Sequence, residues 1–172
     1  MISVRSASRP QKTLIDGLLQ FYVYDFSEME PPDSDRFEFD ENGGFGPFPD
    51  IDDYWRNEQF HPLLIREQEK PVGFALLNTH SHRGGRVERN MGEFFVARKH
   101  RRRGFAAEAV RQILSLYPGQ WEIAVAEQNM AAKAFWPRAI ASAPNVSRID
   151  RLEGDGEHWR GPIWSFYAAE GE

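Results

Sequence analysis

The stretch from Glu88 to Tyr117 constrains the fold more than any other. A strand-forming run reaches Val96 and Ala97 and then crosses the turn Arg101-Arg102-Arg103-Gly104. From Gly104 to Tyr117 the residues Phe105, Ala109, Ile113 and Leu116 recur at helical spacing, until Pro118-Gly119 ends the pattern. A strand fed through a short basic turn into a helix commits the chain to a layered arrangement in which the helix packs back onto a sheet. The same junction sets a glycine beside the unpaired N–H groups of a helix start, which together attract anions.

The remaining elements follow from pattern. Ile2 to Arg5 reads as a short first strand. Ser8 can cap, and Pro10 can open, a helix carrying Leu14, Ile15, Leu18, Leu19, Tyr22 and Phe26 along one side. Leu63 to Gln68 and Val72 to Thr79, joined by Glu69-Lys70-Pro71, read as an antiparallel hairpin, followed by a looser turn from His80 to Gly85. Trp121 to Val125 is a further strand, Asn129 to Trp136 a short helix stopped by Pro137, and Ser147 to Leu152 and Ile163 to Tyr167 the last two strands. Pro31 to Phe48 is rich in Pro, Gly and acids, with a sharp turn at Asn42-Gly43-Gly44. It predicts a long loop of the kind that carries substrate contacts, with no more than a short extended piece.

At 172 residues, with no internal repeat or linker, one domain over 1–172 is expected. Apolar residues at 41% and aromatics at 13% are too many for a disordered chain, and no apolar run reaches the roughly 20 residues of a membrane span. Without cysteine or a secretory start, the expected location is cytoplasmic. A net charge of −5 argues against general affinity for nucleic acid. Acids crowd the segment from Asp25 to Glu58, whereas Arg98 to Arg103 is almost wholly basic. That separation suits a cationic ligand at one end and an anionic one at the other, or else two solvated stretches. His80-Ser81-His82 lacks the companions of a metal site, so no metal is expected and the turn reads as a solvated loop.

Two well-known phosphate loops are absent: the chain has neither a Gly-x-x-x-x-Gly-Lys-Ser/Thr run nor a Gly-x-Gly-x-x-Gly with an acid about 20 residues on. Arg101, Gly104 and Ala106 instead fit Gln/Arg-x-x-Gly-x-Gly/Ala, with Val96 five residues before the arginine. Asn129, Ala132 and Phe135 follow after the next strand. Together these resemble the signature of the acetyl-CoA-dependent GNAT acetyltransferases. The resemblance implies an α/β (α+β) fold with a mixed, mostly antiparallel twisted sheet of about seven strands, flanked by about four helices.

The resemblance also implies acetyl-CoA as cofactor. The backbone at Phe95, Val96 and Ala97 would pair with the pantetheine arm. The N–H groups of Arg101, Arg102, Arg103, Gly104, Phe105, Ala106 and Ala107 would hold the pyrophosphate. Asn129 would reach the pantetheine or its sulfur, Phe135 belongs to the same motif, and Trp136 would pack on the cofactor or fill the core. By the same resemblance the acceptor pocket lies along Tyr22, Tyr24, Glu28 and Glu93, where acids and aromatics suit a cationic small-molecule amine.

An amine with a pKa near 10.4 is neutral in only about one molecule per thousand near pH 7.4, a deficit of about 4 kcal/mol, so a base is needed. Glu93 is the candidate, with Glu88 or a loop acid as alternatives. A backbone N–H at the splayed end of this strand, at Val96, would receive the developing negative charge. Seven residues after Asn129, similar enzymes commonly carry a tyrosine that protonates the leaving thiolate. Here Trp136 stands there, and an indole cannot do this. The expected activity is therefore N-acetyl transfer to a small amine by direct attack in a ternary complex. A non-catalytic coenzyme A thioester-binding module and a nucleic-acid-binding protein using Arg98 to Arg103 are the alternatives. No nucleic-acid or membrane partner is expected, and a homodimer is left open.

Overall fold

The computed structural model describes residues 1–46 and 50–171. A seven-stranded sheet is built from β1 (Ile2–Ser6), β4 (His61–Glu67), β5 (Lys70–His80), β6 (Arg86–Val96), β7 (Gly119–Ala124), β8 (Val146–Glu153) and β9 (Pro162–Ala168). Its order is β1-β4-β5-β6-β7-β9-β8, and every neighbouring pair is antiparallel except β6–β7. The expected hairpin is β4–β5, turned at Gln68 and Glu69. A two-stranded ribbon, β2 (Glu38–Phe39) with β3 (Phe45–Gly46), is the short extended piece within the acidic loop. Phe48, at the end of that expected loop, lies outside the described residues.

Among the described residues there are three α-helices rather than about four: α1 (Lys12–Ser27), α2 (Phe105–Leu116) and α3 (Met130–Ala141). The other helical pieces are single 3-10 turns at Arg9–Gln11, Asp52–Trp55 and Arg98–His100. The expectation that Pro137 ends the last helix is corrected, because α3 runs on to Ala141 with the proline inside it. A proline there costs about 3 kcal/mol through the lost N–H and the crowded carbonyl one turn back. Burying Trp136, Ala139 and Ile140 along the continued helix offsets that cost, since a fully buried large apolar side chain contributes roughly 1.5–3 kcal/mol.

Strand alternation divides the core into two layers. Leu63 and Ile65 of β4 face α2 and α3 with Trp121, Ile123, Ile113 and Ile140, whereas Leu64 between them faces α1 with Ile15 and Leu19. α1 therefore lies on one face of the sheet, and α2 and α3 lie on the other. β5 follows the same alternation, with Leu77 on the α2–α3 side and Phe74 and Leu76 on the α1 side. None of the described helices is long and apolar enough to cross a membrane.

Candidate active site

Two irregularities in β6 build the site. The first is a bulge: Leu76 faces Glu93 and Leu77 faces Met91, leaving Gly92 as the extra residue. A Cβ at Gly92 would sit 2.6 Å from Asn78 Nδ2 and 2.9 Å from the Tyr54 hydroxyl, so only glycine fits without displacing that layer. The bulge re-aims the strand and brings Glu93 against α1. The second irregularity is a parting of strands. β6 and β7 pair only at Arg89 with Trp121 and Asn90 with Glu122, and beyond Asn90 they diverge.

The wedge between them holds a cavity of about 250 Å³. Met91, Gly92, Glu93 and Phe94 form one wall, and the end of β7 from Ile123 through Ala126 forms another. Asn129, Ala132 and Trp136 of the α3 region, Tyr22 and Phe26 of α1, and His82 and Trp159 from two connections complete the lining. Two larger clefts, of about 880 and 910 Å³, run along α2 to the C-terminal tail and over Arg83, Arg86 and Arg89. Neither contains Glu93 or Asn129, and chemistry needs a titratable group in an enclosed site more than it needs volume.

Glu93 accepts a hydrogen bond from the Tyr22 hydroxyl. Burial pushes the Glu93 carboxyl up from the usual 4.5 to about 7, against the opposing pull of the Tyr22 hydrogen bond. Burial, then the neighbouring Glu93 charge, lifts the Tyr22 phenol well above its ordinary value, so it stays a neutral donor. Tyr54, held by Asn78 Nδ2 at 2.8 Å, is pushed up to about 12 by burial. Asn78 in turn accepts from Asn90 Nδ2 at 2.8 Å. The bulge thus rests on a buried polar chain of Tyr54, Asn78 and Asn90.

Just past the C-terminal end of β6, the Ala97 N–H donates to Val72 O at 2.9 Å. Because antiparallel N–H groups alternate in direction, those of Phe94 and Val96 turn away from β5, to the side that β7 has left. The Phe95 side chain is buried with Phe74 on the α1 side, which leaves only the backbone of Phe95 to Ala97 for any ligand contact there. The turn that follows has Arg102 at φ 58° and Gly104 at φ 78°, both left-handed. No atom lies within 4 Å of where a Gly104 Cβ would sit, so this glycine answers to conformation and leaves open space beside it.

The first bond of α2 is donated by the Glu108 N–H to Gly104 O. The amides of Arg102 through Ala107 make no hydrogen bond among the described residues. Such a run of free N–H groups, at a helix start and around left-handed residues, is an arrangement that attracts anions. Arg101 departs from expectation. Its amide is held by Arg98 O at 3.2 Å, its Nε donates to Val96 O at 2.7 Å, and its guanidinium pairs with Asp25. It ties the loop to β6 and α1 instead of joining the nest.

Three of the basic-run arginines are paired with carboxylates, two of them with acids of the acidic segment. Arg98 pairs with Asp25 and lies 3.8 Å from Glu28, and Arg103 pairs with Glu67 at 3.0 Å. Among the described residues Lys99 and Arg102 have no carboxylate partner. The Asn129 side chain accepts from the Ala132 N–H at 3.0 Å, capping α3, while among the described residues no bond engages its amide NH₂; the residue lines the cavity. Phe135 stacks on Phe94 at 6.1 Å, and Trp136 is buried edge-on to Phe94 at 5.2 Å while also lining the cavity.

Of the expected acceptor residues, Tyr22 and Glu93 meet in the cavity, but Tyr24 and Glu28 do not. Tyr24 is half exposed against Phe45, and Glu28 is exposed near Arg98. His82, expected in a solvated loop, instead packs on Trp159 and lines the cavity. Burial keeps its imidazole below the usual range. Trp159 is the site residue that sequence reasoning misses. A lone tryptophan in a Gly- and Asp-rich connection is the one signal it carries.

A model of the acetyltransferase (GNAT) family matches residues 23–140. The chain belongs to the GNAT acetyltransferase family. No curated protein matches it. Among solved structures it is similar to an acetyltransferase from Thermus thermophilus, with TM-score 0.60 and 13% identity over 98% of this chain and 97% of that one. It is also similar to a PaiA N-acetyltransferase from Thermoplasma acidophilum in complex with coenzyme A, with TM-score 0.58 and 10% identity over 98% and 99%. A spermidine N-acetyltransferase from Vibrio cholerae, in complex with CoA and spermine, gives TM-score 0.55 and 14% identity over 96% and 94%. At such identities the likeness is one of fold. In this GNAT chain the matched span takes in β6, the loop before α2, and α3 as far as Ile140.

Proposed function

We propose that the chain is an N-acetyltransferase, a single domain that transfers an acetyl group from acetyl-CoA to a primary amine by direct attack in a ternary complex. The observation that carries this reading is the juxtaposition of a carboxyl raised to about 7, near the C-terminal end of one bulged strand, with a run of unpaired amides in the loop that leaves that end. The free amides of Arg102 to Ala107, and the open space at Gly104, suit a pyrophosphate. Arg102 and Lys99 would add charge to that site. The backbone of Phe95 to Ala97 and the Asn129 amide would hold the pantetheine arm. When bound, the group supplies a thioester carbonyl as the electrophile.

Glu93 takes a proton from the acceptor's ammonium, leaving the neutral amine to attack, and an affinity near pH 7 matches that task near neutrality. Tyr22 fixes the carboxylate rotamer and holds its own proton throughout. The outward-turned N–H of Val96 or Phe94 receives the charge that develops on the acyl oxygen. Trp136, which cannot donate to a thiolate, leaves that proton to water or to the protonated Glu93.

The same replacement favours a second reading, a module that binds a coenzyme A thioester without transfer. Thiol release from acetyl-CoA across a panel of primary amines decides between them. Transfer predicts amine-dependent turnover that Glu93→Gln abolishes. Calorimetric binding of acetyl-CoA without turnover on any amine selects the binding module.

A further inference from the structure

Four aromatic rings, Tyr22, Phe26, His82 and Trp159, line the cavity together with the carboxylate of Glu93. Trp159, in the connection between β8 and β9, is fixed by its indole N–H donating to Val125 O at 3.2 Å. The His82 ring stands edge-on to it, with centroids 4.5 Å apart and planes at 75°. The Nδ1 of His82 is enclosed and makes no hydrogen bond among the described residues. Tyr22 and Phe26 of α1 also line the cavity and pack edge-to-face at 4.8 Å, and the one polar tip of that pair is already given to Glu93.

Among the described residues Glu93 is the only carboxylate lining the cavity. Of the acids on or beside α1, Asp25 is engaged by Arg98 and Arg101, Glu30 by Arg36 and Asp16 by Lys12; Glu127 and Glu157, next to lining residues in sequence, are exposed and do not line the cavity. Glu122, buried behind the β5–β6 turn, accepts from Ser81 Oγ at 2.8 Å. A polyamine brings further ammonium groups, and each one desolvated here would lack a partner. An amino sugar brings hydroxyls with the same difficulty. An apolar body meets neither penalty and gains contact with the aromatic walls.

We infer that the acceptor is a compact monoamine with an apolar or aromatic body, seated between the Trp159–His82 wall and the Tyr22–Phe26 pair with its amino group at Glu93. This rests on the transferase reading above and names the substrate class for the same cavity. Trp159 is then the residue that selects the acceptor's body.

The test compares kcat/KM for benzylamine, 2-phenylethylamine, spermidine and kanamycin, with acetyl-CoA affinity measured by calorimetry beside it. The expected result is a preference of about tenfold or more for the two arylalkylamines. Trp159→Ala is expected to collapse that preference and Trp159→Phe to keep it, with acetyl-CoA affinity essentially unchanged in both. Should Trp159→Ala fail to fold, the wild-type panel and Trp159→Phe decide. Preference for spermidine or kanamycin, or an arylalkylamine preference untouched in a folded Trp159→Ala, overturns the inference while the transferase reading stands. Acetyl-CoA binding with no turnover on any amine overturns the transferase reading and this inference with it.

Discussion

Replacing Glu93 with glutamine is expected to stabilise the fold at alkaline pH while abolishing activity. The folded carboxyl sits near 7 against an ordinary 4.5, so the native chain binds the proton more tightly than the unfolded one. Between those two values the native state holds more protons. Stability therefore falls as pH rises through that window, and the whole penalty is present above about pH 7. At about 1.4 kcal/mol per tenfold in proton affinity, the difference between 4.5 and about 7 corresponds to about 3 kcal/mol. Water in the cavity screens part of it, so this is a ceiling.

Glutamine keeps the shape and still accepts from the Tyr22 hydroxyl, but it carries no charge to desolvate. For a chain of this size about 1 kcal/mol moves Tm by roughly 2–4 °C, so Glu93→Gln should melt several degrees, and at most roughly 12 °C, above wild type at pH 8.5. The gap should narrow toward pH 4.5, where the native carboxyl is already protonated. In the same protein kcat should fall by about 100-fold or more. Thermal melts of both proteins at the two pH values, read beside the thiol-release assay, make the check. A variant less stable than wild type at pH 8.5, or a gap identical at both pH values, refutes the claim that Glu93 is a desolvated carboxyl.

Removing the hydroxyl that donates to Glu93, as Tyr22→Phe, takes away the one contact that lowers its proton affinity. The acid limb of the kcat/KM profile should move to higher pH, and a limb that stays in place would assign Tyr22 to packing alone. At the bulge, Gly92→Ala forces a Cβ against Asn78 Nδ2 and the Tyr54 hydroxyl, which should cost about 1–3 kcal/mol in chemical denaturation. It should also lower kcat by moving Glu93, with coenzyme A affinity retained in calorimetry.

The strand, basic turn and helix from β6 into α2 are legible in the sequence because every signal is local: apolar alternation, a glycine, then helical spacing. The bulge is not, because Gly92 is required only by Asn78 and Tyr54, which arrive from β5 and a distant 3-10 turn. Tyr24 shows where sequence spacing could have been pressed further. Two residues along a helix turn the side chain by about 200°, so Tyr22 and Tyr24 cannot both face one cavity. Asp25 reads as an acid awaiting a cationic ligand until folding brings Arg98 and Arg101 to it from more than 70 residues away. His82 and Trp159 converge only because two connections curl over the end of β7, and neither connection carries a local pattern that says so.

Cofactor binding by main-chain N–H groups is tested most directly by amide NMR. Titrating the ¹⁵N-labelled protein with coenzyme A, and separately with pantetheine, which lacks the diphosphate, should show large shifts for Gly104 through Ala107 with the first ligand only. If those amides stay fixed under saturating coenzyme A while signals elsewhere respond, the diphosphate is held by some other part of the chain.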